Sequence, residues 1–319
     1  MVLFAVFLLP LYIKSRIFTI PEFLEKRFDS RSRYYFSGIC ILGNIFLDAA
    51  GALYAAALII KLILPEADLQ MIIIVFAIIS ASYTIPGGLS SAINAELIQA
   101  IILILGSVIL TIFCFQQGGD YFYGLFADGD MLVKLIRPLS DSATPWLGLI
   151  VGMPILGIYF WANNQTLVQR VLSSRNIDEG RKGVIFTGYL TLLTLFIVAM
   201  PGLIARHLFP GLEKPDMVYP NMVLQLMPIG LLGVMLSALL SALTSTLSAI
   251  LNSTSTLFTI DFYAKFNKKA DSKHLVFVGK IASCVIIILS AIWAPQIGHF
   301  GSLLKYLSLI HISEPTRPY

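Results

Sequence analysis

Charged residues are what this chain has least of. Asp, Glu, Lys and Arg make up only 13% of its 319 residues, against ~25% in an ordinary soluble domain. That scarcity excludes a fully solvated surface. Cysteine is nearly missing too: Cys40, Cys114 and Cys284 lie in apolar stretches without C-x-x-C spacing. Disulfide, redox and metal frameworks are therefore excluded, and each cysteine reads as a small buried hydrophobe. None of the four histidines belongs to an H-E-x-x-H motif, and no pair of aspartates sits within an apolar run, so we expect no enzyme. No soluble basic module is present to hold nucleic acid. Met1 opens directly into an apolar run, with no basic flank before it and no small-residue cleavage site after it, which reads as the interior of a longer protein.

What is present is hydrocarbon. Hydrophobic residues make up 57% of the chain, and apolar runs recur at 1–13, 34–62, 71–85, 97–114, 143–162, 184–204, 228–251 and 275–294. A helix needs about 20 apolar residues to cross a bilayer, whereas barrel strands alternate in segments of about 10. The sequence thus predicts an all-α polytopic membrane protein of about eight transmembrane helices. Its location is the cell membrane, in a bacterium the inner one, with the lipid bilayer as its most extensive partner. Orientation follows from the loops. Those at 14–33, 170–182 and 265–280 carry 15 Lys or Arg, and the alternate set carries 6 (Lys61, Lys134, Arg137, Arg206, Lys214, Lys305). The first set is therefore cytoplasmic.

Within the first cytoplasmic loop, Pro21 suits the opening turn of a short helix that Thr19 or Ile20 introduces. Pro86, Gly87 and Gly88 predict a helix break at the inner face. Residues 117–142 and 206–227 read as outer loops too short for a domain. One membrane domain is expected over 1–306. The remaining "LSLIHISEPTRPY" (307–319) lacks helical periodicity and resembles a translated sequencing adaptor, so it is read as non-native.

Polar groups inside the apolar runs mark candidate function. Two acids qualify, Asp48 and Glu96. The stretch "SALTSTLSAILNSTSTLFT" (241–259) adds ten Ser or Thr. On a helix Ala242, Ser245, Thr246 and Ala249 share one face, with Ser241, Ser248 and Asn252 beside it. Small hydroxyl residues on one stripe serve close helix approach, or they coordinate a hard cation such as Na+ through neutral oxygens. Spacing alone leaves both open. A second cluster is "GIYFWANNQTLVQR" (157–170), where Gly152, Pro154 and Gly157 weaken a span ahead of three aromatics and Asn163, Asn164 and Gln165. An interrupted span with aromatic and amide groups points to a transporter site, and an interfacial aromatic belt is the alternative.

The segments "PLYIKSRIFTIPEFLEKRF", "YTIPGGLSSAINAELIQ", "GIYFWANNQTLVQRVLSSRN" and "YPNMVLQLMPIGLLGVMLSALLSALTSTLSAILNSTSTLFTIDFYAK", in this order, resemble the solute:sodium symporter family, most closely its sodium/glucose cotransporter branch. The resemblance implies a LeuT-like core of two inverted repeats, truncated here at both ends, working by alternating access with Na+ as the coupling ion. It implies that Ala242, Ser245 and Thr246 form the principal Na+ site, with Glu96 below it and Ser248 as companion to Glu96. It further implies Phe160, Trp161, Asn164, Gln165 and Thr191 around the solute. The chain departs from the branch at three places: Phe160 stands for a gating tyrosine, Thr191 for a lysine, and Gly157 for a threonine or asparagine.

The resulting expectation is a Na+-coupled symporter for a small polar organic solute, sugar or polyol first. The alternatives are a Na+ symporter for an amino acid, carboxylate or sialic acid, and the membrane sensor domain of a signalling protein.

Overall fold

The computed structural model describes residues 1–300, 303 and 306, except 129, 131, 132, 135, 142–144, 213 and 214, and does not describe the side chains of 88–95 and 215. The stretch 307–319, read above as non-native, lies outside the described residues. Every regular element described is helical. In chain order these are α1 (Leu9–Lys14), α2 (Ile20–Arg27), α3 (Ser30–Gly43), α4 (Ala50–Ile63), α5 (Leu69–Ala127), α6 (Trp146–Ile158) and α7 (Gln165–Leu172). They continue as α8 (Ile177–Thr194), α9 (Met200–Leu208), α10 (Val218–Leu226), α11 (Ile229–Thr256), α12 (Ala264–Phe266) and α13 (Ser272–Trp293).

Among the described residues seven helical segments are long and apolar enough to cross a membrane: Ser30–Ile63, Leu69–Gly87, Glu96–Ala127, Trp146–Asn163, Ile177–Leu208, Ile229–Phe266 and Ser272–Phe300. The first predicted run appears as a shorter apolar helix, Phe4–Lys14. Several spans run past their predicted ends. Glu96–Ala127 takes in the first part of the predicted loop 117–142, where Phe115, Phe122 and Phe126 pack edge to face, and Phe122 also meets Tyr123, along the same helix.

The break expected at Pro86, Gly87 and Gly88 is absent, for α5 is helical throughout with Pro86 inside it. In water an internal proline costs ~3 kcal/mol or more. In lipid an open backbone leaves several polar groups unbonded, so the helix persists across the proline. At 59 residues α5 is about three times the length one crossing needs, and it supplies two of the spans.

The chain divides into two compact units, one of Met1–Arg33 with Ser107–Pro210 and one of Tyr34–Gly106 with Gly211–Tyr319. In the first, the short helix α2 is tied down by amide chemistry. Thr19 caps it, its hydroxyl accepting from the Glu22 N–H at 3.3 Å, and Gln165 holds the turn before it. The Gln165 Oε1 accepts from the Ile20 N–H at 2.9 Å, and its Nε2 donates to the Phe18 carbonyl at 3.2 Å. Elsewhere in this unit a Cβ at Gly118 would lie 2.5 Å from the Ile204 methyl Cγ2, so only glycine permits that crossing.

The second unit holds the main apolar cluster. Ala49, Ala50, Ala56 and Ala57 around α4 pack with Leu247, Ile250 and Leu251 of α11 and with Ile286 and Ile287 of α13. Small residues let membrane helices approach closely, and polar pairs then bond across the contact. Asn44 Nδ2 donates to Thr254 Oγ1 at 2.8 Å, and the Ser37 hydroxyl donates to Asp261 Oδ2 at 2.6 Å. The paired positions are two helical turns apart on each side of the contact, so the spans Ser30–Ile63 and Ile229–Phe266 run antiparallel here, with two polar bonds a heptad apart. The Ser290 hydroxyl of α13 completes the seam by donating to the Ile45 carbonyl at 2.9 Å.

Candidate functional site

The predicted cation ligands sit on α11, inside the second unit. The Thr246 hydroxyl donates to the Ala242 carbonyl at 2.9 Å, so these two oxygens are immediate neighbours. With its proton committed to that carbonyl, the hydroxyl presents its lone pairs outward. Thr246 is exposed, while Ala242 and Ser245 are half-buried. Ser248 is buried, and its hydroxyl has no hydrogen-bond partner among the described residues. Glu96, at the start of its span, is half-buried, and Asp48 is exposed within the π-helical turn Asn44–Ala49.

A reading of residue types undercounts the polar capacity of this helix. Besides Ser248 Oγ, the Asn252 Nδ2, Ser253 Oγ and Thr259 Oγ1 atoms are buried without partners among the described residues. Each such group costs ~1–3 kcal/mol when left unbonded. Their concentration along 248–259 leaves the span Ile229–Phe266 with polar groups available to an ion or to water. Ser253 and Thr259 belong to the hydroxyl-rich stretch but not to the stripe singled out from it. Among the described residues no three His, Cys, Asp or Glu side chains converge on a metal position, so the oxygens on offer here are those of hydroxyls, carbonyls and single carboxylates.

The predicted solute residues all fall in the first unit. Span Trp146–Asn163 passes through Pro154 as a helix, relaxes to a π-helical turn over Tyr159–Asn163, and stops at Asn164, whose ψ of 111° is extended. The weakening anticipated from Gly152, Pro154 and Gly157 is thus displaced to the aromatic–amide cluster itself. Asn164 then caps α7, its Oδ1 accepting from the Thr166 N–H at 2.9 Å. Phe160 and Trp161 meet edge to face with centroids 5.0 Å apart. Trp161 and Thr187 line one cavity of about 390 Å³. Thr191 lies one turn beyond Thr187, and its hydroxyl donates to the Thr187 carbonyl at 2.8 Å.

Gln165 stands apart from this set. It is buried, and both ends of its amide are engaged by the backbone of Phe18 and Ile20. That gives it a positioning role over the loop between α1 and α2, which its place in an N-N-Q run does not reveal.

Comparison with known proteins identifies the family of this chain. The profile of the sodium:solute symporter family matches residues 1–313. Solute carrier family 5 member 4B of Mus musculus is 37% identical over 344 residues, covering 95% of this chain and 52% of that protein. Sodium/glucose cotransporter 1 of Ovis aries is 36% identical over 343 residues, covering 94% of this chain and 52% of that protein. The chain thus spans about half the length of the curated relatives it matches. A solved substrate-bound, outward-open structure of a Na+-coupled sialic acid symporter superposes with a TM-score of 0.81 at 25% identity, over 93% of this chain and 65% of that one.

Proposed function

Because the chain belongs to the sodium:solute symporter family, we propose that the full-length protein couples Na+ entering the cell to uptake of a small polar solute, a sugar or polyol. The observation that carries this reading is the face of α11 on which the Thr246 hydroxyl and the Ala242 carbonyl adjoin. Ser245 and Ser248 add neutral oxygens on the same helix, and the family resemblance assigns Glu96 as an accompanying carboxylate. Neutral donors suit a monovalent ion that must be let go in every cycle, since full charges would hold it too tightly. Coupling requires that Na+ and solute each bind one conformation better than the other, because a ligand of equal affinity for both shifts nothing.

The solute would be met by Phe160, Trp161, Asn164 and Thr191. Gln165, also assigned to the solute by resemblance, is more economically read as the clamp on Phe18 and Ile20. The likeness to a sodium/glucose cotransporter supports a sugar. The likeness to a sialic acid symporter favours a second reading, an acidic sugar, and the departures at Gly157, Phe160 and Thr191 set this chain apart from the sugar branch. The membrane is the cell membrane, with the basic loops inside.

The test is uptake by the full-length protein in proteoliposomes, with labelled sugars, polyols and sialic acid, under an inward Na+ or K+ gradient. Uptake is expected only with Na+, and equal uptake with K+ overturns the proposal. Ser245→Ala and Thr246→Ala each remove one oxygen and are expected to raise the Na+ concentration for half-maximal uptake about tenfold. An unchanged value returns this face of α11 to helix packing.

A further inference from the structure

The first cytoplasmic loop carries six basic residues against three acidic ones over 14–33, and the structure shows that the acids are already spoken for. Glu22 pairs with Lys26 at 3.3 Å and Glu25 with Arg33. Asp29 accepts both the Ser32 N–H at 2.8 Å and the Ser32 hydroxyl at 2.9 Å. Lys14, Arg16, Arg27 and Arg31 are all exposed, and among the described residues none has a carboxylate within 4.0 Å. They are interleaved with two aromatic side chains that face outward, Phe18 at 71% exposure and Phe28 at 70%. Those two residues flank the ends of α2, whose other face is held in the unit by buried Ile20 and Pro21.

The placement of this loop is constrained. It joins the apolar helix Phe4–Lys14 to the span beginning at Ser30, so its 15 connecting residues, 15–29, cannot leave the membrane surface. Arg16 makes the turn with φ of +47°, a left-handed conformation that glycine or asparagine adopts more cheaply. The Arg27 guanidinium lies 5.8 Å from the Phe28 ring centroid, so cation and aromatic ring are presented together. Aromatic rings at the acyl boundary with unpaired cations at the headgroup level are how a surface helix engages a negatively charged leaflet.

We propose that Phe18 and Phe28 enter the inner leaflet and that Lys14, Arg16, Arg27 and Arg31 bind the headgroups of anionic phospholipids, making this loop a lipid-recognition surface independent of the transported solute. The occupant is lipid because Lys14, Arg16 and Arg27 have no carboxylate within 4.0 Å among the described residues and Arg31 meets Asp29 only at longer range, while the inner leaflet supplies negative charge.

The test places p-benzoyl-phenylalanine at position 28 of the full-length protein in vesicles of phosphatidylcholine with one-fifth phosphatidylglycerol, and identifies photo-adducts by mass spectrometry. Phospholipid adducts are expected, with phosphatidylglycerol enriched several-fold over its share of the vesicle. In the Arg16→Gln/Arg27→Gln background the enrichment should fall to that share, while lipid adducts persist. Adducts to protein alone, or enrichment that survives the double substitution, overturn the proposal. Since neither arginine contacts the cation or solute residues, Na+-driven uptake in phosphatidylcholine alone reports that the variant is folded.

Discussion

Helix α11 buries ten of its residues and α4 nine, whereas α6, in the other unit, buries none. All three are apolar spans, so hydrophobicity does not separate them. The difference lies in what their polar atoms do. In the unit of α4 and α11, side chains bond from helix to helix, as Asn44 does to Thr254 and Ser37 to Asp261. In the unit of α6 and α8, the hydroxyls of Thr187, Thr191 and Thr194 bond only to carbonyls of their own helix. Within a membrane, helix association depends on packing and on such cross-helix bonds, because lipid is as apolar as leucine. The proposed cation residues therefore stand on a frame whose neighbours fix them, and the proposed solute residues stand on helices whose own surfaces are largely uncommitted. A cation site needs oxygens held in position, while a pocket that admits and releases a solute is served by elements that can move.

The comparison is broken most directly by overpacking. Ala57 is fully buried in the cluster around α4, and Ala57→Phe is expected to destabilise the detergent-solubilised protein by about 3 kcal/mol. Ile155 on α6 is 67% exposed, and Ile155→Phe is expected to stay within about 0.5 kcal/mol of the parent. Thermal unfolding of both variants checks the contrast, which fails if they shift equally.

Next in size is Gln165→Leu. Losing both amide bonds leaves the Ile20 N–H and the Phe18 carbonyl without partners, at a cost of about 2 kcal/mol. If Gln165 acts as a clamp, stability falls while the KM for solute holds. If it contacts solute, KM rises at constant stability. A smaller effect, about 1 kcal/mol, is expected of Asn44→Leu. Thr187→Val, which removes a bond internal to one helix, should be near neutral. Equal losses would mean that the cross-helix seam contributes nothing of its own.

Hydropathy was sufficient to find the spans because burying a backbone in lipid demands long apolar helices, and seven of the eight predicted runs correspond to one, the first appearing as the shorter helix Phe4–Lys14. Their ends were less legible. Residues 117–127 read as loop from their glycines, acids and aromatics, yet ring-on-ring packing by Phe115 and Phe122 keeps that stretch helical. Pro86 read as a stop by rules made for water. The hydroxyl stripe of α11 was legible as a pattern, but the hydrogen bonds between distant segments were not. Asn44 and Thr254 are 210 residues apart, and Gln165 reaches 145 residues to Ile20, and no local periodicity encodes such pairs. The buried Asp261 went unremarked because its neighbours in sequence look like the end of a span. Only the fold brings Ser37 to it.

The smallest expected effect concerns Asp29, at the start of α3 and outside the span that follows. Its carboxyl is held below its ordinary value of 3.8, first by the Ser32 N–H and then by the Ser32 hydroxyl. Because the folded state binds the proton less well than the unfolded one, the carboxylate favours folding at pH values above the ordinary one. That contribution fades as acid drives the pH down through the depressed value. Asp29→Asn keeps an oxygen for the Ser32 N–H but cannot titrate. Unfolding midpoints measured from pH 6 to pH 3 should therefore converge for parent and variant at the acid end and diverge slightly toward pH 6. A gap that widens toward acid would mean that the Ser32 bonds do not favour the charged form. The exposure of this residue to solvent keeps the effect small, in contrast to the variants above, whose cost comes from groups that water never reaches.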